Sequence, residues 1–174
     1  MKKIITIIIL IILSFYTIAC NNTLNTPSDE AMKLLNRYQN LDNIILLALD
    51  KSINNNSEMN KIQKQEYKDI LIRQYQNLSY KIKNEIINNE NATVDVELEV
   101  LNYHSSLLSS REYYINHNDE FNEENTYIDY KLNQLKKVND KIKYNLTLNL
   151  TRDNNVWKLR KISRDDLKKI HGLY

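Results

Sequence analysis

Among the 174 residues of this chain there is one glycine, Gly172, and one proline, Pro27. An average chain of this length carries about 12 glycines. Glycine takes positive φ without steric cost and lets a backbone approach a phosphate closely. With one glycine there is no Walker-A loop, no dinucleotide fingerprint, no EF-hand loop and no serine elbow of the hydrolase type. No other motif implies a cofactor. The chain must therefore be built from regular elements joined by turns that other residues make.

Hydrophobic periodicity supplies those elements. Thr26-Pro27-Ser28-Asp29 is a helix start, with Thr as N-cap, Pro at the first helical position and an acid three residues on. Ala31, Leu34, Leu35, Tyr38, Leu41, Ile45 and Leu49 follow at helical spacing, which predicts one helix running through Leu49. Ile44 to Leu49 is apolar all round, predicting deep burial of that half. Residues 51–60 read as a polar loop. A second helix follows, with Tyr67, Ile70, Leu71, Gln74 or Tyr75, and Leu78 on one face.

At Ser79 the period drops to 2. Tyr80, Ile82, Asn84 and Ile86 alternate with Lys81, Lys83 and Glu85, then Asn88-Asn89-Glu90-Asn91 turns. Ala92, Val94, Val96, Leu98 and Val100 alternate with Thr93, Asp95, Glu97 and Glu99. Residues 105–138 are helical in character, with a break expected across the polar stretch 116–125. A second hairpin pairs Tyr144, Leu146, Leu148 and Leu150 with a return strand 156–162, turning at Asp153-Asn154-Asn155. Trp157 and Leu159 share a face and Ile162 is out of phase with them, which predicts a bulge near Arg160-Lys161. Ser163-Arg164-Asp165-Asp166 caps a short helix that ends at Gly172, placed as a left-handed C-cap.

The expected fold class is α+β: a curved antiparallel sheet of about four strands wrapped by three helices, plus a short C-terminal helix. Leu78-Ser79-Tyr80-Lys81-Ile82, Ala92-Thr93-Val94-Asp95-Val96, Trp157-Lys158-Leu159 and the segment from Asp165 to Tyr174 carry a resemblance. In these the chain resembles the nuclear transport factor 2-like (cystatin-like) cone. More narrowly, it resembles the lipoproteins of unknown function from low-GC bacteria that carry this domain. The resemblance covers most of residues 27–174 and implies a cone-shaped cavity, without a catalytic signature.

Ahead of the domain, Met1-Lys2-Lys3 is positive and Ile4 to Ala19 is free of charge, ending at Cys20. A basic start, an apolar run and a small-residue cut site make a secretory signal. The apolar run is sixteen residues, short of the roughly 20 that a spanning helix needs. Cys20 is the only cysteine, so no disulfide can form within the chain. The segment resembles the bacterial lipobox, with Thr17 where Leu is commoner, and implies acyl chains on Cys20. The expected organisation is a signal at 1–19, a lipidated tether at 20–26 and one domain at 27–174. Its expected location is a bacterial cell membrane, lipid-anchored and facing outside the cytoplasm.

Loss of residues 1–19 removes Lys2 and Lys3 and no acid, leaving 22 basic and 22 acidic residues. A net charge of zero gives no reason to expect nucleic acid as a partner. Asp95, Glu97 and Glu99 could suggest an acid cluster, but their alternation with apolar residues marks a solvated outer face. His104, His117 and His171 have no ligand spacing and read as surface histidines, with no metal site among them. Tyr103, Tyr113, Tyr114, Tyr127 and Tyr130 are candidates for a cavity lining or contact patch, with helix-edge packing the simpler fate. Residues 152–174 carry seven basic and three acidic side chains, a candidate surface for anionic lipid or wall polymer and otherwise a solvated face.

Three functional expectations result. The first is a non-enzymatic binding or scaffold module held at the membrane through lipid on Cys20, presenting a surface to an envelope ligand or protein. The second is a small enzyme of the cone fold, of isomerase or dehydratase type, using a buried Asp or His. The third is a homodimer through the open sheet face. The anchor is tested by Cys20→Ser: the variant should lose acyl mass in intact-protein mass spectrometry and leave the membrane fraction. A variant that stays membrane-bound and uncleaved would mean a spanning helix instead.

Overall fold

The computed structural model describes residues 25–122 and 126–174. The expected signal at 1–19, Cys20 and most of the tether lie outside the described residues. The order of elements is α1 (Pro27–Gln39), α2 (Asn43–Asn54), α3 (Lys61–Asn77), β1 (Ser79–Asn88), β2 (Asn91–Leu101), α4 (Tyr103–Asn116), α5 (Tyr127–Lys137), β3 (Lys141–Asp153), β4 (Val156–Leu159) and α6 (Arg164–Ile170). The strands form one antiparallel sheet in the order β1-β2-β3-β4. The fold class is α+β, as the two periodicities predict. Among the described residues no helix is long and apolar enough to cross a membrane.

Alternation decides which side of the sheet is covered. Val94, Val96, Leu98 and Val100 of β2 are buried, as are Leu146, Leu148 and Leu150 of β3. Val94 lies opposite Leu148 and Val96 opposite Leu146, so the apolar sets share one face. Leu35 and Tyr38 of α1, Leu71 and Tyr75 of α3, and Ile170 of α6 pack against it. A second core joins Ile70, Leu101, Tyr103, Leu132, Leu135 and Val138. Helix α3 serves both, touching α1, α2, α5 and β2. It also holds α5 at each end. Gln63 donates to Asp129 at 2.8 Å near the N-terminus of α5. Arg73 donates to the carbonyls of Lys136 and Val138 at the other end, where a cation suits the helix dipole.

Several expectations are corrected. The helix predicted through Leu49 is two helices: α1 ends at Gln39 and the chain turns at Asn40-Leu41-Asp42. Leu41 takes φ 53°, and the Leu41 and Asp42 N–H groups return to the Tyr38 and Arg37 carbonyls. This is the Schellman pattern, usually made with glycine. Asp42 then caps α2 through the Ile44 N–H at 2.8 Å. The apolar run is not buried all round. Leu49 and Ile53 face inward while Ile44 and Leu47 are 59% and 69% exposed, because only one side of α2 reaches the core. The expected loop at residues 51–60 begins late, since α2 continues to Asn54. The expected wrap of three helices becomes five among the described residues, because the first helix is two; the break expected across 116–125 is present and parts the third, with α4 ending at Asn116 and a 3-10 turn at Asn118–Glu120 ahead of α5. The bulge is elsewhere too. β4 stops at Leu159, and the register shift lies in β1 between Ile82 and Asn84. Past it Ile86 turns to the outer face and is 55% exposed, while Glu85 turns inward and accepts from the Ser28 N–H at 2.9 Å.

The glycine shortage is met by asparagine. Asn89, Asn154 and Asn155 supply positive φ in the two hairpin turns, a conformation Asn tolerates better than most residues. Gly172, at φ +69°, closes α6 with the same hydrogen-bond pattern as Leu41 closes α1. The two sites differ in space. A Cβ on Gly172 would stand 2.2 Å from the Leu101 carbonyl oxygen and 2.7 Å from Gln74 Nε2. Gly172→Ala should therefore destabilise by roughly 2–5 kcal/mol, from left-handed strain plus overpacking. Leu41→Gly, which relieves the same conformation and loses a partly buried side chain, should change stability by less than about 1 kcal/mol. Urea denaturation of the two variants measures the contrast, and similar losses in both would refute the account.

Candidate functional site

Helix α6 is seven residues long, and its far end is fixed by contacts from other elements. Gln74 Nε2 donates to the Ile170 carbonyl at 3.3 Å and the Gly172 carbonyl accepts the His104 N–H at 2.8 Å. Between them, His171 is turned toward α1 and α3. Its ring lies 5.6 Å from the Tyr75 ring and 6.4 Å from that of Tyr38, centroid to centroid, and Tyr38 meets Tyr75 edge-on at 5.0 Å. The Tyr75 hydroxyl and His171 Nε2 are 3.2 Å apart.

These rings line a pocket of about 400 Å³ that α2 and α6 help to enclose. Ile45, Leu49, Ile53 and Leu71 give it apolar walls, with Tyr67, Ser52 and Asn56 as further polar groups. A larger groove of about 890 Å³ runs along α1 past Met32, Asn36 and Asn40, but it is open and gathers no buried polar group.

Electrostatics set the character of the smaller pocket. Burial lowers the His171 pKa to about 4, so the ring is neutral at pH 7 with one nitrogen a donor and the other an acceptor. Burial raises the Tyr38 and Tyr67 hydroxyls. It raises Tyr75 furthest, with the neighbouring Tyr38 and Tyr67 adding to the effect. The lining contains no Asp, Glu, Lys or Arg. What results is a neutral cavity, apolar in its walls and carrying three phenol hydroxyls and an imidazole. It can desolvate an uncharged molecule and hydrogen-bond it. As a general base His171 is weak, because catalytic efficiency favours a pKa near the working pH and no carboxylate orients the ring.

The residues singled out in the sequence are placed as follows. Asp95, Glu97 and Glu99 lie on the outer face of the sheet. Glu97 meets Lys83 at 3.0 Å and Lys143 at 3.5 Å, and Asp95 accepts from Thr147 at 2.7 Å. His117 stacks on Tyr113 at 4.2 Å, far along the chain from His171. His171 itself is the correction: it is a pocket residue, not a surface histidine. Tyr103 is buried in the second core with its hydroxyl on the Ile70 carbonyl. Tyr113 stacks on Tyr130 and Tyr114 on Tyr127, with Phe121 edge-on between the pairs, so these rings fasten α4 to α5. Among the described residues no three His, Cys, Asp or Glu are gathered as a metal set. Tyr67 was legible on the apolar face of α3, with Gln74 or Tyr75 beside it, and the structure buries both of the latter; the signal that would have added His171 is its place beside a glycine C-cap. No family model, curated protein or solved structure matches the chain.

The pocket makes stability depend on pH in a defined window. His171 binds its proton less readily folded than unfolded, so its contribution is intact above pH 6.5 and is lost as pH falls toward 4. The loss should reach on the order of 2–3 kcal/mol. Between pH 6.5 and 5 the denaturation midpoint should fall for the native chain and stay nearly flat for His171→Gln. Parallel slopes would show that the ring is not held neutral by burial.

Proposed function

We propose that this chain is a membrane-anchored envelope lipoprotein whose domain is a non-enzymatic binding module for a small, uncharged, largely apolar molecule. The observation that carries the binding role is the partly open pocket of Tyr38, Tyr67, Tyr75 and His171, with no Asp, Glu, Lys or Arg in its lining and the imidazole neutral at pH 7. Its volume of about 400 Å³ lies within the usual range for small-ligand sites. A charged ligand would enter at a large desolvation cost with nothing to pair with. A neutral one bearing a hydroxyl or carbonyl would find donors and acceptors already in place. The anchor rests on the resemblance of the segment ending at Cys20 to a lipobox. A four-stranded antiparallel sheet with helices on its apolar face supports the nuclear transport factor 2-like reading.

The test uses N-phenyl-1-naphthylamine, a neutral apolar fluorophore, titrated against the chain with residues 1–19 removed. Ala48 lines the rim of the pocket from the solvent side of α2. Ala48→Trp should weaken binding by about tenfold or more, equivalent to about 1.4 kcal/mol, while leaving the circular dichroism spectrum unchanged. An anionic analogue of the dye should bind more weakly than the neutral one. Equal binding to native and Ala48→Trp proteins would exclude the pocket.

A further inference from the structure

We propose that the connection between β4 and α6, carrying Arg160, Lys161 and Arg164, is the face that the domain lays on an anionic lipid surface. The proposal rests on the lipid-anchor reading of Cys20 and adds an orientation to it.

The first observation is where the tether leaves the domain. Asn25 is joined to β4 by its side chain: Nδ2 donates to the Trp157 carbonyl at 2.9 Å, and Oδ1 accepts the Trp157 N–H at 3.1 Å. The amide thus acts as a further strand residue on the free edge of β4 and fixes the exit point. Cys20 stands five residues before Asn25, and five residues reach at most about 18 Å. Whatever the tether's path, an acylated Cys20 keeps Asn25 within that distance of the headgroups, and the Trp157 edge bonded to Asn25 a side-chain length further at most.

The second observation is what lies beside that edge. Arg160 follows Trp157 by three residues, so the backbone places it within about 10 Å. Of the seven basic residues from 152 onward, Lys158, Lys168 and Lys169 are neutralised by Asp153, Asp165 and Asp166. Arg152 lies against the Trp157 ring. Arg160, Lys161 and Arg164 are exposed and have no acidic partner among the described residues. Helix stability does not account for Arg164, since a cation in the first turn opposes the helix dipole. Three unneutralised cations within five residues lie within reach of the anchored end. At a surface of anionic lipid each contributes on the order of a fivefold factor, and the effect fades within about 8 Å at physiological salt. The tether confines these cations to the neighbourhood of the surface, where the attraction acts once they come within that range.

The experiment uses the full lipidated chain on vesicles of phosphatidylcholine, with or without phosphatidylglycerol, and maps the rate of amine labelling by mass spectrometry. Lys161 should label on the order of tenfold more slowly on the anionic vesicles, while Lys64 on α3 and Lys143 on the outer sheet face keep their rates. The difference should vanish in 1 M salt. In the variant R160Q/R164Q, which changes two exposed side chains, the protection of Lys161 should fall several-fold. Equal labelling of Lys161 on both vesicles overturns the proposal, as does protection centred on Lys143 or Lys64. Protection by soluble poly(glycerol phosphate) but not by anionic vesicles also overturns it, and assigns the face to wall polymer. The anchor is read separately, by retention on the neutral vesicles through a high-salt wash. A chain that washes off there refutes the lipid anchor, whereas one that stays with Lys161 freely labelled refutes the orientation alone.

Discussion

One buried amide locates much of what lies beyond α3. Gln74 is fully buried, and its two polar ends bind backbone groups at the ends of two other elements. Oε1 accepts the Leu101 N–H at 3.0 Å, where β2 finishes, and Nε2 donates to Ile170, where α6 finishes. A buried amide without partners costs about 1–3 kcal/mol, so this side chain strongly favours the arrangement in which both are present. The two cores meet here, with Leu71, Tyr75 and Ile170 on one side and Ile70, Leu101 and Tyr103 on the other. Gly172 completes the joint because only a residue without Cβ fits against the Leu101 carbonyl and Gln74. His171 lies between Ile170 and Gly172, so the joint that closes the fold also aims the pocket's imidazole.

Charge is sorted by location. The outer sheet face carries its acids and lysines in cross-strand contacts, as with Glu97 between Lys83 and Lys143, and such exposed pairs add little to stability. Their density also makes that face a poor centre for a dimer interface, where charged residues are depleted. The pocket has no ion at all. The two ends of α6 therefore work by different physics. At the Arg164 end the salt-screened attraction of cations without acidic partners operates, and at the His171 end desolvation and hydrogen bonding. Seven helical residues separate them, about 10 Å along the axis.

How much of this was legible in the sequence depends on the range of the interaction. The strands were legible because period 2 is local, and Val94 to Val100 with Leu146 to Leu150 repeat it without error. The α6 cap was legible because Ser163, Asp166 and Gly172 are local signals. The end of α1 was not, since Leu41 occupies the αL position that glycine normally marks, and its apolar spacing continues the helical pattern. The burial of His171 was not, because it depends on α3 and α1, roughly 100 and 130 positions earlier in the chain. The β1 bulge was missed for a similar reason. The shift shows in the pairing to β2 and accompanies the bond between Glu85 and the Ser28 N–H of α1, neither visible within β1 alone.

The misread turn at Leu41 is what makes a pocket possible. Had α1 run on to Leu49 as a straight helix, Leu49 and Ile53 would be carried away from α3, leaving Tyr67 and Tyr75 uncovered on that side. The left-handed turn instead folds α2 back, and a non-glycine residue in that conformation costs about 1–2 kcal/mol. Burial of Leu49 and Ile53 returns about 1.5–3 kcal/mol for each side chain, enough to hold the turn closed. The balance leaves Ile44 and Leu47 in water on the far side of α2. A helix secured by two buried side chains on one face, and apolar on the other, is a modest investment in stability and a large one in shape. It stabilises the core little, but it supplies the wall that makes the space beside His171 a cavity.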